Sequence, residues 1–270
     1  MSEKIKEFEN HIIKKYRGPI WSKFIKAVKT FSLVNENDKI LVAVSGGKDS
    51  LLLAKLFQEL KKHPLVQFDF KCVVMDPGYT KENLELLKDN MQLLGIEYTI
   101  EPYNIFKVVN KIAQDYPCYM CARMRRGFLY SVAEKYGCNK VALGHHYDDV
   151  IETTLINLFY SGSFKTMLPK LKSTNHQGLE LIRPMYFIRE KAVYNIMKHN
   201  DVHPLDCGCD VAAGEIASKR SEVKEIIKML KKVHPDIDKS IFRAADNVNL
   251  DNILGWVSNG KRYKYHDDYE

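Results

Sequence analysis

Lys39-Ile-Leu-Val-Ala-Val44 runs directly into Ser45-Gly46-Gly47-Lys48-Asp49-Ser50, and the reading of that junction decides the fold. A short aliphatic, β-branched run predicts a strand buried in a parallel sheet. Two consecutive glycines then let the backbone turn sharply and present successive N–H groups. Ser50-Leu-Leu-Leu-Ala-Lys-Leu-Phe-Gln-Glu-Leu60 has helical composition, so those N–H groups fall at a helix N-terminus. Unsatisfied donors and the helix dipole attract phosphate there. Lys48 adds a point charge for phosphate oxygens, and Asp49 is an oxygen ligand suited to magnesium. The spacing is not the G-x-x-x-x-G-K-S/T of a Walker loop. A plain glycine-rich turn capped by Ser or Asp is the competing interpretation.

Outward from this junction the pattern alternates. Phe68–Met75 reads as a second strand, and Lys81 to Leu94 places Leu84, Leu87, Met91 and Leu94 on one helical face that ends at Gly95. Glu97–Glu101 and Lys140–Gly144 predict a third and a fourth strand. The expected fold is therefore α/β, a parallel sheet with helices on both faces. Ligands of such sheets bind beyond the strand C-termini, where Ser45, Gly46, Gly47, Lys48, Asp49, Ser50, Asp76 and Gly144 would emerge. After about Ser161 the character changes to loop plus a strand over Gly178–Met185, then helices at 189–199, about 216–232 and 235–247. The expected division is a basic helical N-terminal segment (1–35), a central domain (36–210), a C-terminal helical region (211–260) and a disordered tail (261–270).

The chain of 270 residues carries a formal charge of +7, which favours a polyanionic partner. In residues 1–35, Lys4, Lys6, Lys14, Lys15, Arg17, Lys23, Lys26 and Lys29 alternate with Tyr16, Trp21, Phe24 and Phe31. Lysines with aromatics suit RNA backbone and base stacking, but also a solvated helix packed by its aromatics. No stretch has the apolar length of a membrane span, and the charged N-terminus does not read as a signal peptide, so a cytoplasmic protein is expected. Six cysteines in such a compartment point to metal or redox chemistry rather than disulfides.

Cys118-Tyr-Met-Cys121 stands ahead of a predicted helix from Arg123 to Tyr136, and Cys207-Gly-Cys209 lies in a downstream loop. Together they offer up to four thiolates, enough for zinc or an iron–sulfur cluster. Cys72 and Cys138 read as core residues. Arg123, Arg125 and Arg126 place cations beside any such centre, for RNA phosphate or an anionic leaving group. Gly144-His145-His146-Tyr147-Asp148-Asp149 follows a strand and opens a helix. Either Asp148 caps that helix and Glu152 favours its positive end, or the paired Asp and His residues hold magnesium or polarise a substrate.

Taken in order, S-G-G-K-D-S, C-x-x-C-x-R-x-R-R-G, A-L-G-H-H-x-D-D and I-R-P before Arg189-Glu190-Lys191 resemble the TtcA-like tRNA 2-thiocytidine synthetases of the PP-loop ATP-pyrophosphatase superfamily. The resemblance runs from about Lys39 to Cys209. It implies the HUP-like PP-loop fold and a two-step reaction. ATP adenylates the C2 oxygen of a cytidine in the tRNA anticodon loop, at position 32 in the family, and sulfide then displaces AMP. By the same resemblance, three cysteines hold a 4Fe–4S cluster: Cys118, Cys121, and one of Cys207 and Cys209, with Cys207 preferred. Ser45–Ser50 map onto the ATP loop, Asp49 onto a magnesium-binding or catalytic acid, Asp149 onto the second acidic position, and Arg125 onto the basic position after the cysteine pair. A cysteine desulfurase or other sulfide donor and a homodimer are implied as well. Two other readings stay open: a related enzyme acting on another nucleoside or small molecule, and a zinc-stabilised RNA-binding protein.

Overall fold

Strand β1 (Asp38–Val44) forms where expected and is the third strand of a six-stranded sheet. The computed structural model describes residues 3–103, 117–205 and 216–267, without the side chains of 117–123 and 216–218. The other strands are β2 (Phe68–Asp76), β3 (Tyr98–Pro102), β4 (Lys140–Ala142), β5 (Lys170–Lys172) and β6 (Glu180–Ile182), in the order β3-β2-β1-β4-β6-β5. Every neighbouring pair is parallel except β5 with β6. The strand order reverses between β1 and β4, which opens a crevice at their C-terminal ends. Strand β5 falls in a stretch expected as loop. Lys170-Leu-Lys172 has a single apolar residue, too few to register a period, and only pairing with β6 makes it a strand.

The helices around this sheet are α1 (Glu3–Asn10), α2 (Ser22–Thr30), α3 (Lys48–Lys62), α4 (Lys81–Leu94), α5 (Pro117–Lys135), α6 (Tyr147–Ser161), α7 (Glu190–His199), α8 (Ile216–Val233) and α9 (Ile237–Ala244). Helix α4 ends as its sequence predicts: Gly95 takes φ 61° and the Ile96 N–H donates to the Met91 carbonyl at 2.9 Å. Helix α5 starts six residues earlier than expected, because Pro117 supplies a favourable first helical residue. Cys118 and Cys121 are thus inside the first turns of the helix, not ahead of it. Cys207 and Cys209 lie outside the described residues.

Two compact units divide the chain: residues 1–150 with 167–220, and residues 151–166 with 221–270. The first holds the six-stranded sheet and also residues 3–30. Between α1 and α2, two short π-helical turns (His11–Lys15 and Arg17–Trp21) accommodate Gly18-Pro19, where proline removes an N–H donor. The aromatics here turn inward. Phe24 is fully buried against Phe57, and Phe31 packs on Tyr186 and Phe187. The lysines stay exposed. These rings are packing groups rather than an open stacking surface.

In the second unit, Lys224 lies 3.7 Å from the buried Glu152 and Lys231 pairs with Asp238 at 2.8 Å. The tail does not follow expectation either. Strands β7 (Gly255–Ser258) and β8 (Lys261–Lys264) form an antiparallel ribbon around Asn259-Gly260. Both turn residues have positive φ, 50° and 77°, which is the demand of a two-residue hairpin turn that Asn-Gly meets.

Buried charges lock the first unit together. The Lys55 ammonium, fully buried, donates to Glu9 Oε1 and to the Leu94 carbonyl, each at 3.0 Å. It ties α1, α3 and the end of α4 at one point. Burial lowers its pKa and the Glu9 carboxylate opposes that. Lys55→Met should therefore destabilise the protein by about 3 kcal/mol, because one member of a buried ion pair is removed. Glu9 keeps a second partner in Lys62 at 2.6 Å. Adding Glu9→Gln should then restore part of the loss, a coupling that urea unfolding of the double-mutant cycle measures.

Candidate active site

The loop after β1 is built as a rigid cradle. Ser50 is buried, its Oγ donating to the Gly47 carbonyl (2.9 Å) and accepting from the Ser45 N–H (3.1 Å). Its hydroxyl thus shapes the loop from within. Gly46 has φ 80°, and its carbonyl accepts the Leu205 N–H at 3.0 Å. A Cβ there would come within 2.6 Å of the Leu205 side chain. Gly47 precedes α3 in extended conformation, and no side chain caps that helix end. The Ser50 N–H already donates to the Gly47 carbonyl at 3.1 Å, so it is the start of the turn, at Lys48 and Asp49, that offers N–H groups to a ligand.

Gly144 presses on this loop from behind. A Cβ at Gly144 would meet the Asp49 carbonyl carbon and oxygen at 3.0 Å, so only glycine permits this approach of the β4 end to α3. Asp76 ends β2 and accepts the N–H groups of Gly78 and Tyr79 at 2.9 and 2.8 Å. That turn aims the Tyr79 hydroxyl at the Ser45 carbonyl, to which it donates at 2.9 Å. Asp76 and Gly144 therefore brace the loop.

A cavity of about 1060 Å³ opens in front of it, at the upper end of the range for small-molecule sites. Ser45, Gly47, Lys48, Asp49 and Arg125 line it. Gly46, Ser50, Asp76, Gly144 and Asp149 do not appear in its wall. The opposite wall comes from Tyr194, Met197 and Lys198 of α7 and from Val202, His203 and Leu205, none of which the sequence reading singled out. Those residues lack any motif of their own; only the folded chain brings them to the loop.

The charges at the cavity are interlocked. Lys48 Nζ lies 2.9 Å from Asp49 Oδ2 and 3.2 Å from Glu190 Oε1. Burial opposes the Lys48 charge, but the two carboxylates outweigh it and raise the pKa. The other Asp49 oxygen, Oδ1, is buried and has no hydrogen-bond partner among the described residues. Nε2 of the buried His146 stands 3.6 Å from it, and His146 Nδ1 is 3.2 Å from Asp149 Oδ2. Asp149 Oδ2 also accepts the His146 N–H (2.9 Å), and its Oδ1 is 3.4 Å from Arg220. Burial alone would raise the Asp149 pKa, yet His146, His145 and Arg220 hold it below the usual carboxylate value. His145 is pushed down to about 4, chiefly by burial, against the pull of Asp149. Asp148 accepts the Glu190 N–H at 2.7 Å, capping α7 and placing Glu190 beside Lys48.

Arg125 reaches the same cavity from α5, with its buried Nε free of any hydrogen bond among the described residues. Cys118 and Cys121 precede it by seven and four residues on that helix, a spacing that puts all three backbone positions on one face. A C-x-x-C donor set suits zinc or iron, and Asp49 Oδ1 suits a hard cation.

Residues 20–205 match the model of the PP-loop domain. The tRNA-cytidine(32) 2-sulfurtransferase of Geobacter metallireducens is 34% identical over 232 residues, 85% of this chain and 89% of that one. The protein of the same name from Geotalea uraniireducens is 37% identical over 244 residues, covering 89% and 93%. Among solved structures, the U34-tRNA thiolase NcsA from Methanococcus maripaludis with its 4Fe–4S cluster superimposes with a TM-score of 0.67 at 26% identity, covering 84% of this chain and 77% of that one. With its PP-loop cradle and this span of similarity, the chain belongs to the family of the tRNA-cytidine(32) 2-sulfurtransferases.

Proposed function

We propose that this enzyme replaces the C2 oxygen of a tRNA cytidine, at position 32, with sulfur at the expense of ATP. The observation that carries the reading is the single cavity in which the uncapped end of α3, Lys48, Asp49 and Arg125 meet. In the first step the cytosine C2 oxygen attacks the α-phosphorus of ATP. The bond from that phosphorus to the bridging β-phosphate oxygen breaks and pyrophosphate leaves. In the second, sulfide adds at C2, the C2–O bond breaks, and AMP departs with the oxygen. Oxygen is a poor leaving group from a pyrimidine; adenylation converts it into a stable phosphate monoester.

The residues divide the work. Loop N–H groups and Lys48 take the phosphate oxygens and stabilise the charge that grows on pyrophosphate. Asp49, whose Oδ1 has no hydrogen bond among the described residues, would hold a magnesium ion that draws charge off the same leaving group. Arg125 stands on the reacting side and steadies the anionic adenylate. Asp149 acts through His146, fixing the imidazole that faces Asp49. Asp76, Gly144, Gly46 and Ser50 keep the loop in shape. Cys118 and Cys121, with one of Cys207 and Cys209 (our choice is Cys207), would hold a 4Fe–4S cluster that supplies sulfur at the sulfide level. A sulfide donor replenishes it, or a cysteine desulfurase together with a thiol reductant that supplies the two electrons needed to bring its persulfide sulfur to the sulfide level. The enzyme works in the cytoplasm, as a homodimer. Among the described residues no helix is long and apolar enough to cross a membrane.

Asp49→Ala should abolish tRNA-dependent pyrophosphate release while the unfolding free energy changes by less than about 1 kcal/mol, since no core volume is lost. A pyrophosphate assay beside urea unfolding checks this; wild-type turnover in the variant removes Asp49 from the site.

The cysteine assignment has its own reading. Anaerobically purified Cys118→Ala and Cys121→Ala should each lose the visible iron–sulfur absorption, and so should Cys207→Ala. Cys209→Ala should keep it. Loss in both downstream variants means four protein ligands; loss in neither takes the downstream pair out of the site.

A further inference from the structure

The ribbon of β7 and β8 lies outside residues 20–205, which match the PP-loop domain, and no part of the reaction above uses it. Its pairing fixes its two faces. Trp256 is opposite Tyr263 and Ser258 opposite Lys261 on one; Gly255 is opposite Lys264 and Val257 opposite Arg262 on the other. The indole and phenol stack with ring planes 9° apart and centroids 5.2 Å apart, and both are half-buried. The aromatic pair therefore holds the ribbon together. A two-stranded hairpin is marginal in water without such support.

The rest of the ribbon is open. Lys261, Arg262 and Lys264 are exposed, Val257 is 69% exposed, and Gly255–Lys264 contains no acidic residue. None of the three cations forms an ion pair among the described residues, although Lys261 lies over the Tyr263 ring at 5.2 Å. Asp267, the first of three acids that follow the ribbon, spends its carboxylate on the Lys264 backbone N–H at 2.8 Å; Asp268 and Glu270 lie outside the described residues. Arg262 and Lys264 are two residues apart on one strand, so their side chains leave the same face about 7 Å apart. That separation is of the order of consecutive phosphates along an RNA strand.

We infer that the β7–β8 ribbon is an RNA-backbone clamp, in which Lys261, Arg262 and Lys264 contact phosphates of the tRNA beyond the reacting nucleotide. The inference rests on the tRNA substrate proposed above. Charge complementarity names the occupant: a ribbon with no acid between Gly255 and Lys264, and with three cations that form no ion pair among the described residues, fits a polyanion. With both rings engaged in each other, it offers no free aromatic for base stacking. The clamp therefore reads charge and spacing, not sequence.

The test compares the full-length protein with a variant carrying Lys261→Gln, Arg262→Gln and Lys264→Gln, using unmodified tRNA at several salt concentrations. Each lost phosphate contact flattens the log–log salt slope by about 0.7–0.9, so the variant should lose roughly two units. At physiological salt its KM for tRNA should rise about tenfold, with kcat and the KM for ATP unchanged. A charge-preserving variant (Lys261→Arg, Arg262→Lys, Lys264→Arg) should keep the wild-type slope, which separates charge from damage to the ribbon. An unchanged slope and KM in the glutamine variant overturns the inference and leaves the cations as guards of an open strand edge. Loss of binding to phosphatidylserine-containing vesicles with tRNA binding intact overturns it in favour of a membrane surface. Wild-type protein that binds no tRNA at any salt overturns the substrate reading itself, whereas a wild type that thiolates tRNA beside an indistinguishable variant sinks only the clamp.

Discussion

The close approach of Gly144 to the backbone of Asp49 is the constraint on which the site depends. Strands β1 and β4 are neighbours at the point where the strand order reverses, so the segments leaving them must diverge around one small space. A side chain at position 144 would push the first turn of α3 away and with it Lys48 and Asp49. Removing the side chain lets the sheet edge itself serve as the back wall of the phosphate cradle. The rigidity that Ser50, Tyr79 and Leu205 add would be of little use if that wall were displaced.

The charged groups follow from the same geometry. The loop after β4 opens α6 with His146 and Asp149, and the reciprocal cap between them fixes the imidazole before any ligand arrives. His146 then stands between two carboxylates that belong to different strand ends. Asp148, one residue away, reaches α7 instead and caps it through the Glu190 N–H. A single short motif thereby sets the position of two helices and two acids. The cap expected from Asp148 is made on α6 by Asp149 with His146 instead, and Asp148 caps α7.

How much was legible in the sequence followed how local each feature is. The junction of β1, loop and α3 is read within one continuous stretch from Asp38 to Lys62, and its pattern was clear. The far wall of the cavity was not: Tyr194, Met197 and Leu205 carry no motif, and their place depends on the packing of α7. Strand β5 has too few apolar residues to show a period, so its partner makes it a strand. The ribbon was missed for a different reason. Its Asn259-Gly260 turn is a strong signal, but each flanking strand has only four residues, and in Lys261–Lys264 three of the four are charged, so polar composition outweighed the turn. The N-terminal aromatics could have faced either way, and the burial of Phe24 and the packing of half-buried Phe31 on Tyr186 decided it.

The pairing of Lys48 with both Asp49 and Glu190 gives the proposed cradle a way to stay intact without nucleotide. Three cationic features, the α3 N-terminus, Lys48 and Arg125, face one cavity and would repel each other if unopposed. The two carboxylates hold the ammonium in place and supply the negative charge that a polyphosphate brings on binding. When phosphate oxygens take over Lys48, Asp49 Oδ2 is released beside Oδ1, which has no hydrogen bond among the described residues, and the whole carboxylate becomes available to a cation. Nucleotide and magnesium would then enter as mutually dependent ligands, because each removes the charge that would otherwise oppose the other.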